Sequence, residues 1–151
     1  MSASSGITRL RFEARQTVFD DQAASTWRVA VGIEDLVDHV FKHDPPTAVE
    51  IERAIDVVED ALSATALRQA ARGDLSTDDP VLHALLGMHS DGERRDRDEV
   101  EGLFGRFAAA SQARSVASLG SPFDRKAAAV LLILRECMHH LGFEGVRRSG
   151  V

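Results

Sequence analysis

The amino-acid sequence predicts an α+β fold, mainly α-helical, with an N-terminal two-stranded antiparallel ribbon followed by four to five helices. Three observations predict it. Strict two-residue alternation is confined to the stretch before Gly32; from Ile33 the apolar residues recur at helical spacing; and Ala127 to Leu134 are apolar without a break. With 151 residues, 44% of them hydrophobic and 28% charged, the chain has the make-up of one globular domain, 1–151, rather than of a disordered one. Residues 1–6 and 146–151 read as loose tails.

The first strand alternates Leu10, Phe12, Ala14 and Val18 against Arg9, Arg11, Glu13, Arg15 and Thr17. Asp20 to Ser25 turns the chain, and Trp27, Val29 and Val31 alternate with Thr26, Arg28 and Ala30 as the second strand. A helix starting at Asp20 or Asp21 competes for this stretch, because Ala23, Ala24 and Ala30 favour helix. Ile33, Leu36, Val37, Val40 and Phe41 form the stripe of an amphipathic helix, stopped by Pro45 and Pro46. Thr47 and Glu50 fit a capping box, and Ile51, Ala54, Ile55, Val58, Ala61 and Leu62 make the apolar face behind it. That pattern extends toward Arg72, with Gly73 as the residue after the helix. Gly73 to Pro80 reads as a polar connection and Val81 to Met88 as a short helix. Glu93 to Glu101, alternating in sign, reads as the solvated start of the helix that carries Val100, Leu103, Phe104 and Phe107. Ser121 and Pro122 have the chemistry of an N-cap and first turn for the last helix, which ends near Leu141 with Gly142 as its C′ residue.

Eighteen Lys and Arg against 24 Asp and Glu give a net charge of −6. A negative field opposes nonspecific nucleic-acid binding, so no nucleic acid is expected as a partner. The basic groups Arg9, Arg11 and Arg15, or Arg147 and Arg148, lack interleaved aromatic residues. The longest apolar run is far short of a membrane span, and no apolar leader follows Met1. With Cys137 as the single cysteine, these features predict a soluble cytoplasmic protein.

Asp35, His39 and His43 stand at i, i+4 and i+8. On one helical stripe, two imidazoles and a carboxylate are a candidate set for Zn²⁺. The competing reading is a solvated polar face. Glu136 and His139 match the E-x-x-H half of a di-metal motif, which has no second copy in the chain. Cys137 and His140, three residues apart, form a candidate thiolate pair. The phosphate-binding and nucleophile-elbow motifs are absent.

These features predict a non-enzymatic interaction, adaptor or regulatory protein without cofactor, self-associating as a homodimer. The dimer expectation rests on the apolar last helix and the open ribbon edge. The alternative is a small metal-assisted or small-molecule enzyme whose site assembles from scattered His, Asp and Glu, with zinc as the metal.

Overall fold

In the computed structural model, residues 6–21, 25–65, 73–113 and 124–150 are described. The chain begins with three strands, β1 (Thr8–Phe12), β2 (Thr17–Asp20) and β3 (Thr26–Val29), followed by α1 (Ile33–His39) and α2 (Ala48–Ser63). Then come β4 (Asp74–Thr77), α3 (Pro80–Leu85), β5 (Arg94–Asp96), α4 (Arg97–Ala113), α5 (Arg125–Leu141) and β6 (Gly145–Arg148). All six strands join one mixed sheet, ordered β3-β2-β1-β4-β6-β5. The β1–β4 and β4–β6 pairs are parallel; β1–β2, β2–β3 and β5–β6 are antiparallel.

This corrects the expected two-stranded ribbon with helices. The alternating stretch from Arg9 to Val18 is not one strand. Its backbone turns back between Glu13 and Gln16, whose N–H and carbonyl bond at 2.9 Å. The expected second strand is therefore the third; Thr26–Val29 is strand where the competing helix would run, and residues 22–24 lie outside the described residues. The three remaining strands hold three or four residues each. So short a segment shows barely one period of alternation. The polar connection after Gly73 contains β4, the mixed-charge stretch contains β5, and the expected C-terminal tail contains β6, which pairs with both β4 and β5.

The registers place Leu10, Phe19, Trp27, Leu75 and Val146 on one face of the sheet. This face joins the helices in the hydrophobic core. The opposite face carries Arg9, Arg11, Arg28, Arg94 and Arg147 with Asp20 and Asp74. α5 is the hub of the helical layer and packs against α1, α2, α3 and α4. Each residue from Ala127 to Leu134 is at most 3% exposed within its own chain. The apolar all-round helix is thus covered from within the fold, and needs no second subunit.

Local signals explain the helix ends. The Thr47 side chain accepts from Glu50 N–H at 3.1 Å, and Glu50 accepts from Thr47 N–H at 2.9 Å, so the capping box forms. Asp124 caps α5, while Ser121 and Pro122 lie outside the described residues. Gly142, with φ of 81°, closes α5 in the left-handed conformation. α2 is described to Ser63 and the chain to Thr65, so the extension toward Arg72 lies outside the described residues, as do residues 1–5 of the expected N-terminal tail.

Candidate functional site

Glu136 and His140 lie one helical turn apart on α5, and the packing of α2 brings Glu59 to them. His140 Nε2 is 3.1 Å from Glu136 Oε2 and 3.4 Å from Glu59 Oε1. One ligand atom from each of the three residues falls within 4.8 Å of the others. The Glu136 side chain is only 1% exposed. His140 Nε2 is buried, and although it is within ion-pair distance of both carboxylates it is aligned for a hydrogen bond with neither.

Arg135 fixes the far side of the cluster. Its Nε and one terminal nitrogen donate to the two carboxylate oxygens of Glu101 on α4, at 2.9 and 2.8 Å. Its other terminal nitrogen donates to Glu136 Oε1 at 2.6 Å. The guanidinium also lies over the Phe104 ring, 4.5 Å from its centre. The Glu101 hydrogen bond, and then the Glu136 charge, hold Arg135 above the usual arginine range although burial opposes them. The same hydrogen bond holds Glu101 below the usual carboxylate range. The cluster brings three carboxylates, those of Glu59, Glu101 and Glu136, together with one guanidinium. It calls for a cation.

Two carboxylates and an imidazole are a donor set for zinc or a comparable divalent ion. Glu136 Oε1 is taken by Arg135, which leaves Oε2 toward His140 and Glu59. The buried, unaligned Nε2 is what a metal ligand would present. The residues present therefore fit a divalent cation. They equally fit an imidazolium between two carboxylates, and the two cases differ in their response to added metal.

The expected zinc stripe is arranged differently. α1 stops at His39, so His43 leaves the stripe, and its Nδ1 lies 3.0 Å from Glu50 Oε2. Asp35 receives the Gly32 N–H at 2.8 Å and one terminal nitrogen of Arg15 at 3.0 Å. That same nitrogen lies 3.2 Å from His39 Nε2. Asp35 and His39 are thus brought together around a guanidinium, and His43 is not among them. His83 lies against the Thr77 carbonyl, 2.8 Å from Nε2, so the histidines do not converge on one cavity. Cys137 is buried, and burial, aided by the Glu136 charge, pushes its thiol well above the usual range, which leaves it a poor nucleophile. The Glu136–His140 spacing, four residues on one helix, was the signal for the cluster. The E-x-x-H match points to His139 instead, and Glu59 comes from a different helix.

No family model and no curated protein sequence matches the chain. Solved structures do. The type II variant of the Ppx/GppA phosphatase of Aquifex aeolicus has a TM-score of 0.71 and 14% identity, over 99% of this chain and 54% of that one. A second structure of the Aquifex aeolicus PPX-GPPA enzyme has a TM-score of 0.69 and 15% identity, over 95% and 53% of the two chains. An exopolyphosphatase from Cytophaga hutchinsonii has a TM-score of 0.67 and 10% identity, over 97% and 54%. The chain spans about half the length of these structures. The adaptor expectation rested on a missing catalytic signature, on a ribbon with an open edge and on the apolar last helix. That ribbon is the flank of a six-stranded sheet, α5 is covered within its own chain, and solved structures of this fold are described as enzymes, so the adaptor expectation is corrected. At these identities the shared property is the fold: this chain has the fold of one half of the Ppx/GppA phosphatases.

Proposed function

We propose that the chain is a metal-assisted enzyme domain acting on phosphate esters or phosphoanhydrides. The observation that carries this reading is the fold match over 95–99% of the chain to structures described as phosphatases and exopolyphosphatases. In this reading Glu59, Glu136 and His140 hold a divalent cation, zinc by the chemistry of the donors. When bound, the cation supplies Lewis-acid polarisation of a phosphoryl oxygen. Arg135 orients Glu136, and Glu101 keeps Arg135 in place. No glycine-rich phosphate loop occurs in the sequence. The comparison enzymes are about twice as long, so this chain supplies at most one of their two halves. Its lone, buried Cys137 suits a reducing compartment, and we place its action in the cytoplasm. No described helix is long and apolar enough to cross a membrane.

The test is hydrolysis of p-nitrophenyl phosphate, pyrophosphate and inorganic polyphosphate by metal-stripped protein resupplied with zinc, manganese or magnesium. The reading requires turnover that depends on added metal and is lost in Glu136→Gln. Metal-independent turnover, or none with any of the three metals, overturns it.

A further inference from the structure

We infer that the chain forms a twofold dimer through antiparallel pairing of β3 with β3 of a second copy, centred on Trp27. This inference is independent of the enzymatic reading. β3 is an edge of the sheet, so half of its backbone groups face away from β2. The Asp21 N–H bonds the Ser25 carbonyl at 3.0 Å, beside the pairs Asp20–Thr26 and Phe19–Trp27. This bond sets the phase of the ladder: Trp27 and Val29 turn their backbone groups toward β2, and Thr26 and Arg28 turn theirs outward. A groove of about 620 Å³ runs beside the edge, floored by Trp27, Val57 and Ala61.

Register and charge select the occupant. A twofold pairing that keeps the core faces on one side and is centred within the four residues of β3 places Trp27 opposite its own copy, or Arg28 opposite its own copy. The second choice sets like charges face to face. The first makes Thr26 and Arg28 the hydrogen-bonded partners across the axis, with four backbone bonds in all. It also makes Trp27 and its copy a close, non-hydrogen-bonded pair over the groove. Arg28 is exposed and has no side-chain partner among the described residues. In this register it lies opposite Thr26 of the second copy, whose hydroxyl donates to Asp20 at 2.7 Å. Each Arg28 thereby approaches a carboxylate two strands away, which it would share with Arg11 of the second copy, 3.0 Å from Asp20, as Arg94 and Arg147 share Asp74. Arg94 spans an equal distance within this chain, from β5 across β6 to Asp74. The other edge strand, β5, holds three residues and offers no comparable run.

Trp27 is the only tryptophan in the sequence, so its fluorescence reports on this edge alone. Light scattering between 1 and 200 µM should show the mass rising from 16.4 kDa toward twice that value, with a parallel blue shift of emission. Arg28→Glu should weaken association at least tenfold with an unchanged circular dichroism spectrum. Oxidised Trp27→Cys should give a covalent dimer, and Val49→Cys, on the exposed face of α2, should not. A constant monomer mass at 200 µM overturns the inference and leaves the groove to a foreign strand. A dimer indifferent to Arg28→Glu, or one without the blue shift, overturns it by placing the interface elsewhere.

Discussion

Arg94, on the edge strand β5, makes a two-pronged hydrogen bond to Asp74 on β4, two strands away: Nε to Oδ2 at 2.8 Å and a terminal nitrogen to Oδ1 at 3.0 Å. Arg147 Nε reaches the same Oδ2 at 2.7 Å from the intervening strand, β6. The sheet face away from the helices is therefore held by charge pairing instead of by a second apolar layer. Arg11 with Asp20 at 3.0 Å repeats the device on the other flank. Mixed sheets with parallel strands are usually covered on both faces. Here arginines take the cross-strand positions, as Arg11 and Arg28 do on either side of fully buried Val18.

This arrangement gives the protein an acid-sensitive limb. The Arg94 hydrogen bond, helped by the charges of Arg94 and Arg147, holds the Asp74 carboxyl below its usual range although burial opposes it. For Glu50 burial also opposes the shift, but the Thr47 N–H, the His43 imidazole and the Lys42 N–H outweigh it, and its carboxyl too is held low. A lowered folded-state value adds stability that is complete above the unfolded pKa of about 4 and is lost as pH falls through the folded one. Melting temperature should hold from pH 7 to about 5 and fall steeply below about 4. Asp74→Asn should melt lower at pH 7, by an equivalent of about 1–3 kcal/mol, and show a flatter acid limb. Parallel acid limbs for the two proteins would refute the assignment.

Gly145 makes the Arg94 crossing possible. A Cβ built there would lie 2.6 Å from the Arg94 guanidinium carbon. Gly145→Ala should push the guanidinium off Asp74 and reproduce the flattened acid limb, with the Asp74 carboxylate intact. Gly32 is a different case, because its Cβ would strike the backbone of Glu13 and Ala14, which cannot swing aside. Those two carbonyls accept from Ile33 and Glu34 N–H, at 3.2 and 2.9 Å, where α1 begins. Gly32→Ala should cost more than Gly145→Ala, about 2 kcal/mol or more, as read by urea denaturation.

The sequence made the helices legible and most of the sheet illegible. The Thr47–Glu50 box and the apolar face behind it mark α2 because sixteen residues repeat the helical period several times. β5 has no such redundancy: Arg94, Arg95 and Asp96 look like helix surface, and only Val146 on β6 beside them tells which way they face. The site was legible in part. Glu136 and His140 share a helix and could be paired by spacing, but Glu59 reaches them only through the packing of α2 on α5, which no local pattern encodes. Asp35 and His39 lie one turn apart on α1 and meet at the same Arg15 nitrogen. What lies between them, Arg15, comes from the turn after β1, a connection legible only once the sheet is known.

Leu132 tests the placement of α5. It is fully buried at the centre of the helical layer. Leu132→Ala should cost about 2–5 kcal/mol through the cavity it leaves. At ~2–4 °C per kcal/mol for a chain of this length, the melting point should drop by about 10 °C. Leu132→Glu buries an unpaired charge and should yield unfolded or insoluble protein. A folded, soluble Leu132→Glu monomer would place α5 at a subunit surface and contradict the topology.

Glu136→Gln separates the two cations that the acid cluster can take. The substitution keeps the shape of the side chain and removes one negative charge between Arg135 and His140. If a divalent ion belongs there, metal-stripped wild type should bind about one equivalent of zinc by calorimetry. Its melting temperature should then rise with zinc concentration, because the ion binds only the folded state. Glu136→Gln should lose both effects while remaining folded, and His140→Ala should do the same through a different ligand. His39→Ala should leave the zinc response intact, since His39 faces Arg15 in a separate part of the fold. An imidazolium in place of the metal gives the opposite pattern. Zinc would then leave the melting points of wild type and Glu136→Gln unchanged. Zinc binding that survives Glu136→Gln but disappears in His39→Ala would move the metal to the α1 stripe.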